Sequence, residues 1–210
     1  KNVKGIDVVT GCNSQWNKTV IYKDLKYNDC TLKGLEPCYD KIEPQMLLYG
    51  RFINEIDIRE TRKVCVLGKT VYESLFEKGE DPCGKSISID DIKYNIVGVS
   101  GSESQMSING QTSESVEVPM TTLRQAYNHG NVIDVLCYTA MSGYKVSDVE
   151  KDIASLLKAA HYVHPDDKKA FWGFNLSDIM NMFNGLFLGI NILLWIVGCG
   201  SLFAGLIGIS

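Results

Sequence analysis

Histidine is nearly missing from this 210-residue chain: His129, His161 and His164 are all it has. They form no His-Glu-x-x-His pair, and none of the seven cysteines stands in a C-x-x-C pair, so the common spacings for a zinc site are lacking. A Gly-x-Ser-x-Gly nucleophile elbow is missing as well. Basic residues, 21 against 25 acidic, are scattered rather than gathered into a stripe, which argues against nucleic acid as a partner. The most consequential absence is local. From Phe183 to Ile209 there is no charged side chain, no proline and no histidine. About 20 apolar helical residues cross a hydrocarbon core of ~30 Å, so this stretch is long enough to span a membrane. Its position at the C-terminal end excludes a secretory signal, and a buried core helix is rarely apolar on every side over such a length.

Within the span, Gly185-x-x-x-Gly189 and Gly200-x-x-x-Ala204 are small-residue spacings that let a second helix approach closely. These four residues are the helix-packing candidates. About 180 residues precede the span, enough for one large domain or two small ones. A chain that opens at Lys1 without methionine reads as a piece of a longer protein.

Six of the seven cysteines (12, 30, 38, 65, 83 and 137) lie outside the span, and Cys199 lies within it. Cys65 and Cys137 sit in apolar, strand-like runs, where a thiol acts as a small hydrophobe. Mostly reduced, buried thiols or a disulfide both fit; Cys30 with Cys38 is the first pair to test.

The pattern along the chain is mixed. Ile6 to Thr10 and Thr19 to Tyr22 read as strands around a polar loop, Gly11 to Lys18, with Cys30 to Leu35 extending the pattern. Lys63 to Leu67 reads as a strand, and Thr70-x-x-Glu73 as a capping box opening a helix over Val71 to Phe76. Ser86 to Ile89 and Lys93 to Val99 flank Asp90-Asp91 as a hairpin. Ser100 to Ser115, with six serines and little apolar content, reads as a mobile surface loop. Val116 to Met120 returns as a strand, Thr122 to Tyr127 as a short helix and Val132 to Ala140 as a strand. Ser147-x-x-Glu150 reads as a second capping box, for a helix with Val149, Ile153, Leu156, Leu157 and Ala160 on one stripe. Phe171 to Phe174 reads as a closing strand, and Ser177 as the cap of the segment entering the span.

Candidate chemistry is thin. Gly68-Lys69-Thr70 follows a strand, but a phosphate loop needs glycine at position 63, which is lysine. His161 and His164 lie near Asp166 and Asp167 and read as a helix end followed by a polar loop. No catalytic residue, cofactor or metal site is expected.

Four phrases in order, Gly50-Arg-Phe-Ile53, Arg62-Lys-Val-Cys-Val-Leu-Gly68, Asp81-Pro-Cys-Gly-Lys85 and Tyr94-Asn-Ile-Val-Gly-Val99, resemble the extracytoplasmic core domain of MacB-like and FtsX-like ABC transporter permeases. Val118-Pro-Met120 resembles the family's Ile-Pro strand, and Leu202 to Ile209 looks like its second membrane helix, with Ala204-Gly205-Leu206 where many members have Gly-Gly-Ile. The resemblance implies an α+β fold. A split porter-like α/β subdomain (1–40 and 126–176) would hold an inserted Sabre-like subdomain (41–125), followed by a stem and transmembrane helix (177–210). It also implies a periplasmic domain of an inner-membrane permease, coupled to ATP hydrolysis on a separate nucleotide-binding domain. The implied partners are that ABC ATPase domain, a second permease protomer, membrane lipid, and a periplasmic adaptor or outer-membrane protein. The residues alone also allow a different function, an extracytoplasmic ligand-binding domain of a single-span sensor or receptor.

Overall fold

The computed structural model describes residues 3–101, 109–167 and 169–209. Two compact units result, one from Ile6 to Thr139, the other joining the residues before Ile6 to those from Ala140 onward.

The first unit is built on eight strands: β1 (Ile6–Tyr22), β2 (Leu25–Leu35), β3 (Met46–Gly50), β4 (Val64–Gly68), β5 (Ser86–Ile89), β6 (Ile92–Gly101), β7 (Ser115–Pro119) and β8 (Val135–Ala140). Three short helices, α1 (Glu55–Arg59), α2 (Lys69–Leu75) and α3 (Met120–Ala126), lie between them. The sheet runs β2-β7-β4-β6-β5-β1, and β2 also pairs with β1. These six strands therefore close on themselves, which removes the exposed edges of an open sheet. The β2–β7 and β4–β6 pairings are parallel and the other four are antiparallel. Strand β3 joins the ring through β6, and β8 through β1.

Side-chain alternation fills the interior. Val20 and Tyr22 from β1, Leu32 from β2, Cys65 and Leu67 from β4, Ile87 and Ile89 from β5, Tyr94 and Ile96 from β6, and Val116 and Val118 from β7 form one buried cluster. Helix α2 adds Val71, Tyr72 and Leu75. All five residues of β4 are buried, as expected for a strand paired on both sides and covered on both faces.

The polar run Gly11 to Lys18 is not a loop. It continues β1 as one 17-residue strand. Its turn-like composition marks an irregularity: the β1–β2 register shifts around Lys18, beside Asn17 at φ 56°. The side-chain nitrogen of buried Asn13 donates to the Val132 carbonyl at 2.9 Å, and the Ser14 amide donates to Asp134 at 3.0 Å. The Asp90-Asp91 hairpin is present, with both residues at positive φ as a two-residue primed turn requires.

Neither expected capping box forms. Helix α2 starts at Lys69 with Gly68 as its N-cap, and α4 (Val146–Ala160) starts from Lys145; neither has a side-chain cap bond. A box missed in the sequence does form on α1, where Asn54 accepts from the Asp57 amide at 3.0 Å and Asp57 accepts from the Asn54 amide at 3.1 Å. Gly68 is required by packing: a Cβ there would collide with the Thr112 and Ser113 carbonyls.

In the second unit, α4 buries Val149 and Ile153 of its stripe but leaves Leu156 exposed. Phe171 to Phe174 forms no strand. The chain then enters α5 (Leu176–Ile209), a single helix of 34 residues.

Candidate functional site

Helix α5 is the first element of interest. At ~1.5 Å per residue it is about 51 Å long, well beyond a ~30 Å hydrocarbon core. Its last charge is Asp178. By length and composition, Leu176–Ser201 is a candidate membrane span with a mean hydropathy of 1.9, and none of it is buried within the chain. Its start is fixed by Asn175, whose side chain accepts from the Ser177 amide at 3.0 Å and donates to Glu150 of α4 at 3.2 Å. Asn175, rather than Ser177, thus organises the first turn and ties it to α4. The packing candidates Gly185, Gly189 and Gly200 lie on this helix, and a Cβ added at any of the three meets nothing within 4 Å. Ala204 lies on the same helix.

A second group is buried beside Gly110 and Thr112. Lys33 of β2 and Glu117 of β7 are both essentially inaccessible, and Glu43 nearly so. Lys33 donates to the Gly110 carbonyl at 2.8 Å, Gln45 donates to Glu117 at 2.6 Å, and Glu43 accepts from Tyr39 and Thr112, each at 2.8 Å. Burial pushes the Glu117 carboxyl up to about 7; the Gln45 bond and the Lys33 charge oppose this, and Glu43 adds to it. Sequence pattern concealed the group, because Glu117 alternates with Val116 and Val118 as a solvent-facing residue would. The expected loop over Ser100 to Ser115 is only partly described, since 102–108 lie outside the described residues. Its far end is well anchored: Thr112 and Ser115 are buried, and Asn109 bonds to Ser14.

The third group is charged and lies on the ring's outside. Asp57, fully buried, takes both Arg51 nitrogens, at 2.6 and 3.2 Å, and lies 3.9 Å from Arg62. Burial raises its pKa, but the Arg51 hydrogen bond, the Asn54 amide and the charges of Arg51 and Arg62 outweigh burial and hold the carboxyl below its ordinary value. Gly50 permits this arrangement: at φ 70° its missing Cβ would meet the Val97 carbonyl and lie 2.7 Å from Cys83 Sγ.

The remaining sequence candidates have ordinary surroundings. His161 ends α4 with its ring 6.5 Å from that of Phe171, and exposed His164 lies 3.9 Å from Asp166. The seven cysteines are unpaired; Cys30 lies in the core cluster and Cys38 on a 3-10 turn (Pro37–Lys41). Burial pushes the Cys30 and Cys137 thiols up to about 12. Among the described residues, no group of three or more His, Cys, Asp or Glu side chains has the geometry of a metal site.

Comparison with known proteins gives this arrangement a family. The profile described as MacB-like periplasmic core domain matches residues 1–156. The chain is 25% identical over 202 residues to the macrolide export ATP-binding/permease protein MacB of Bdellovibrio bacteriovorus, and 28% identical over 179 residues to the MacB of Wolinella succinogenes. It covers 96% and 85% of its own length in these alignments, but only 29% and 27% of the relatives. The fold is similar to the periplasmic region of MacB from Actinobacillus actinomycetemcomitans, with a TM-score of 0.71, 21% identity, and 87% of this chain and 78% of the other covered. It is also similar to the extracellular domain of the ABC-type transporter YknZ from Gram-positive bacteria, with a TM-score of 0.66, 21% identity and coverages of 79% and 81%. These likenesses agree with the expected α+β class, and relatives of this kind do not favour the single-span sensor reading.

Proposed function

Given that the chain belongs to the MacB-like periplasmic core domain family, we propose that it serves an ABC transporter permease as the element through which cytoplasmic ATP hydrolysis moves the periplasmic side. The whole transporter would place residues 1 to about 180 in the periplasm and α5 in the inner membrane. ATP would be hydrolysed on a nucleotide-binding domain, carried on the same polypeptide or on a separate subunit, and two protomers would be needed to close around the nucleotide. The transported or regulated partner would be an efflux substrate, a lipoprotein or a periplasmic enzyme, reached with or without an adaptor and an outer-membrane channel.

The observation that carries this reading is the continuity of α5: 34 residues run from Leu176 without a break, starting at an asparagine tied to α4. A flexible linker would lose displacement as internal motion, whereas an unbroken hydrogen-bonded helix of ~51 Å passes it on. The four packing candidates, Gly185, Gly189, Gly200 and Ala204, would admit a neighbouring helix at close range.

The test inserts three glycines between Asn184 and Gly185 in the full-length transporter and measures two quantities. Spin labels on the periplasmic domain should show nucleotide-dependent distance changes in the unaltered protein and lose them in the insertion variant, while ATP hydrolysis continues in both. Unchanged periplasmic movement after the insertion defeats the proposal.

A further inference from the structure

The outside of the ring carries a cleft whose chemistry is one-sided. Strand β6 changes partner along its length: Ile92 to Asn95 pair with β5, and Gly98 to Gly101 with β3. In the gap between, the Gly84 amide donates to the Ile96 carbonyl and the Arg51 amide to the Val97 carbonyl. On the other flank the residues leading into β4 run alongside, with the Lys63 carbonyl accepting from the Asn95 amide at 2.8 Å. The change of partner leaves an open cleft of about 640 Å³ lined by Arg51, Arg62, Lys63, Cys83, Asn95 and Val97, among others.

No carboxylate belongs to this lining. Asp57 lies buried behind it, where it engages one edge of Arg51, and Glu60 engages Arg62 at 2.7 Å. The Asn95 side-chain oxygen is occupied by the Ser86 hydroxyl at 2.7 Å, so its NH₂ is the group left to bind. Lys63 is exposed and pairs with no carboxylate among the described residues. The open groups are thus the free edge of Arg51, the Lys63 ammonium and the Asn95 amide, all donors, above half-buried Val97. The chain as a whole is acidic, at −4, so this cleft is a local reversal of sign that attracts what the rest of the surface repels.

We propose that this cleft receives a carboxylate side chain from an acidic segment of a partner polypeptide, held between Lys63 and Arg51 with its apolar stem against Val97. A bare inorganic anion would use the donors but leave Val97 without an apolar partner. The site lies on the ring alone and is independent of the movement proposed for α5.

The experiment uses the whole chain in detergent and a fluorescent hexapeptide, Gly-Ser-Glu-Glu-Ser-Gly, followed by anisotropy, with the Gln-Gln version as control. The glutamate peptide should bind saturably, the control should bind at least about tenfold more weakly, and Lys63→Glu should weaken the glutamate peptide about tenfold. Lys69→Glu, a charge reversal outside the cleft lining, should change nothing. Equal binding of the two peptides, or an unaffected Lys63→Glu variant, overturns the proposal. Displacement of the peptide by inorganic phosphate at the peptide's own concentration also overturns it, in favour of a simple anion site.

Discussion

Asp57 does three jobs with one carboxylate: it completes the capping box of α1, neutralises Arg51 and stands behind the cleft lining. Replacing it by alanine removes the box and the ion pair together, and we expect a loss of about 3 kcal/mol in chemical denaturation. Its pKa is held below the ordinary 3.8, so the stability it supplies is present above that value and lost as pH falls through the lower, folded one. Glu117 has the opposite sign. Burial raises it from 4.5 to about 7, so its favourable contribution is complete below pH 4.5 and disappears as pH rises through about 7. Between pH 5 and pH 8 the native protein should lose on the order of 3 kcal/mol from this group, at about 1.4 kcal/mol per pH unit. Glu117→Gln, which can keep the bond from Gln45, should flatten that part of the pH dependence of Tm. An equally steep profile in the variant would mean that another group titrates. These residues were hard to read from sequence for a physical reason: strand alternation tells which side chains share a face, and not that both faces are covered.

At the scale of elements, sequence reading succeeded where one local force dominates. The Asp90-Asp91 hairpin follows from two residues that tolerate positive φ, and the strand over β4 from an unbroken apolar run. It failed where two local signals compete. Thr70 and Ser147 have capping-box spacing, yet each helix begins one or more residues earlier, and the hydroxyls fall inside it. Gly11, Asn13, Ser14 and Asn17 look like a loop, but pairing with β2 and the bonds to Val132 and Asp134 hold them in a long, irregular strand. Helix α5 was legible because from Phe183 onward its run carries no charge and no proline, the composition of a candidate membrane span. Leu188 lies at the middle of the candidate span, so Leu188→Arg should cost about 3 kcal/mol of insertion free energy. Carbonate extraction of membranes should release more of the variant than of the unaltered chain; equal retention would show that α5 is held by something other than lipid.

For the molecule as a whole, ring closure was the feature no local pattern announced. Its parallel pairings join Thr31 to Ser115 and Val64 to Asn95, distant in sequence and dependent on topology rather than on neighbouring residues. Ring closure makes a definite claim about cooperativity. Strand β4 lies between β6 and β7 with every residue buried, so its amides should open only when the whole ring does. Strand β3 pairs with β6 alone and exposes Met46 and Leu47, so it can peel away while the ring stays closed. Native-state hydrogen exchange should therefore find the amides of Cys65 to Leu67 slower than those of Leu47 to Tyr49 by at least about tenfold, and falling with denaturant on the slope of global unfolding. If the two strands exchange alike, the ring is no more cohesive than its attachments. If β4 is the slower, the domain behaves as a stiff body, which any device that delivers movement from a membrane helix to a periplasmic surface requires.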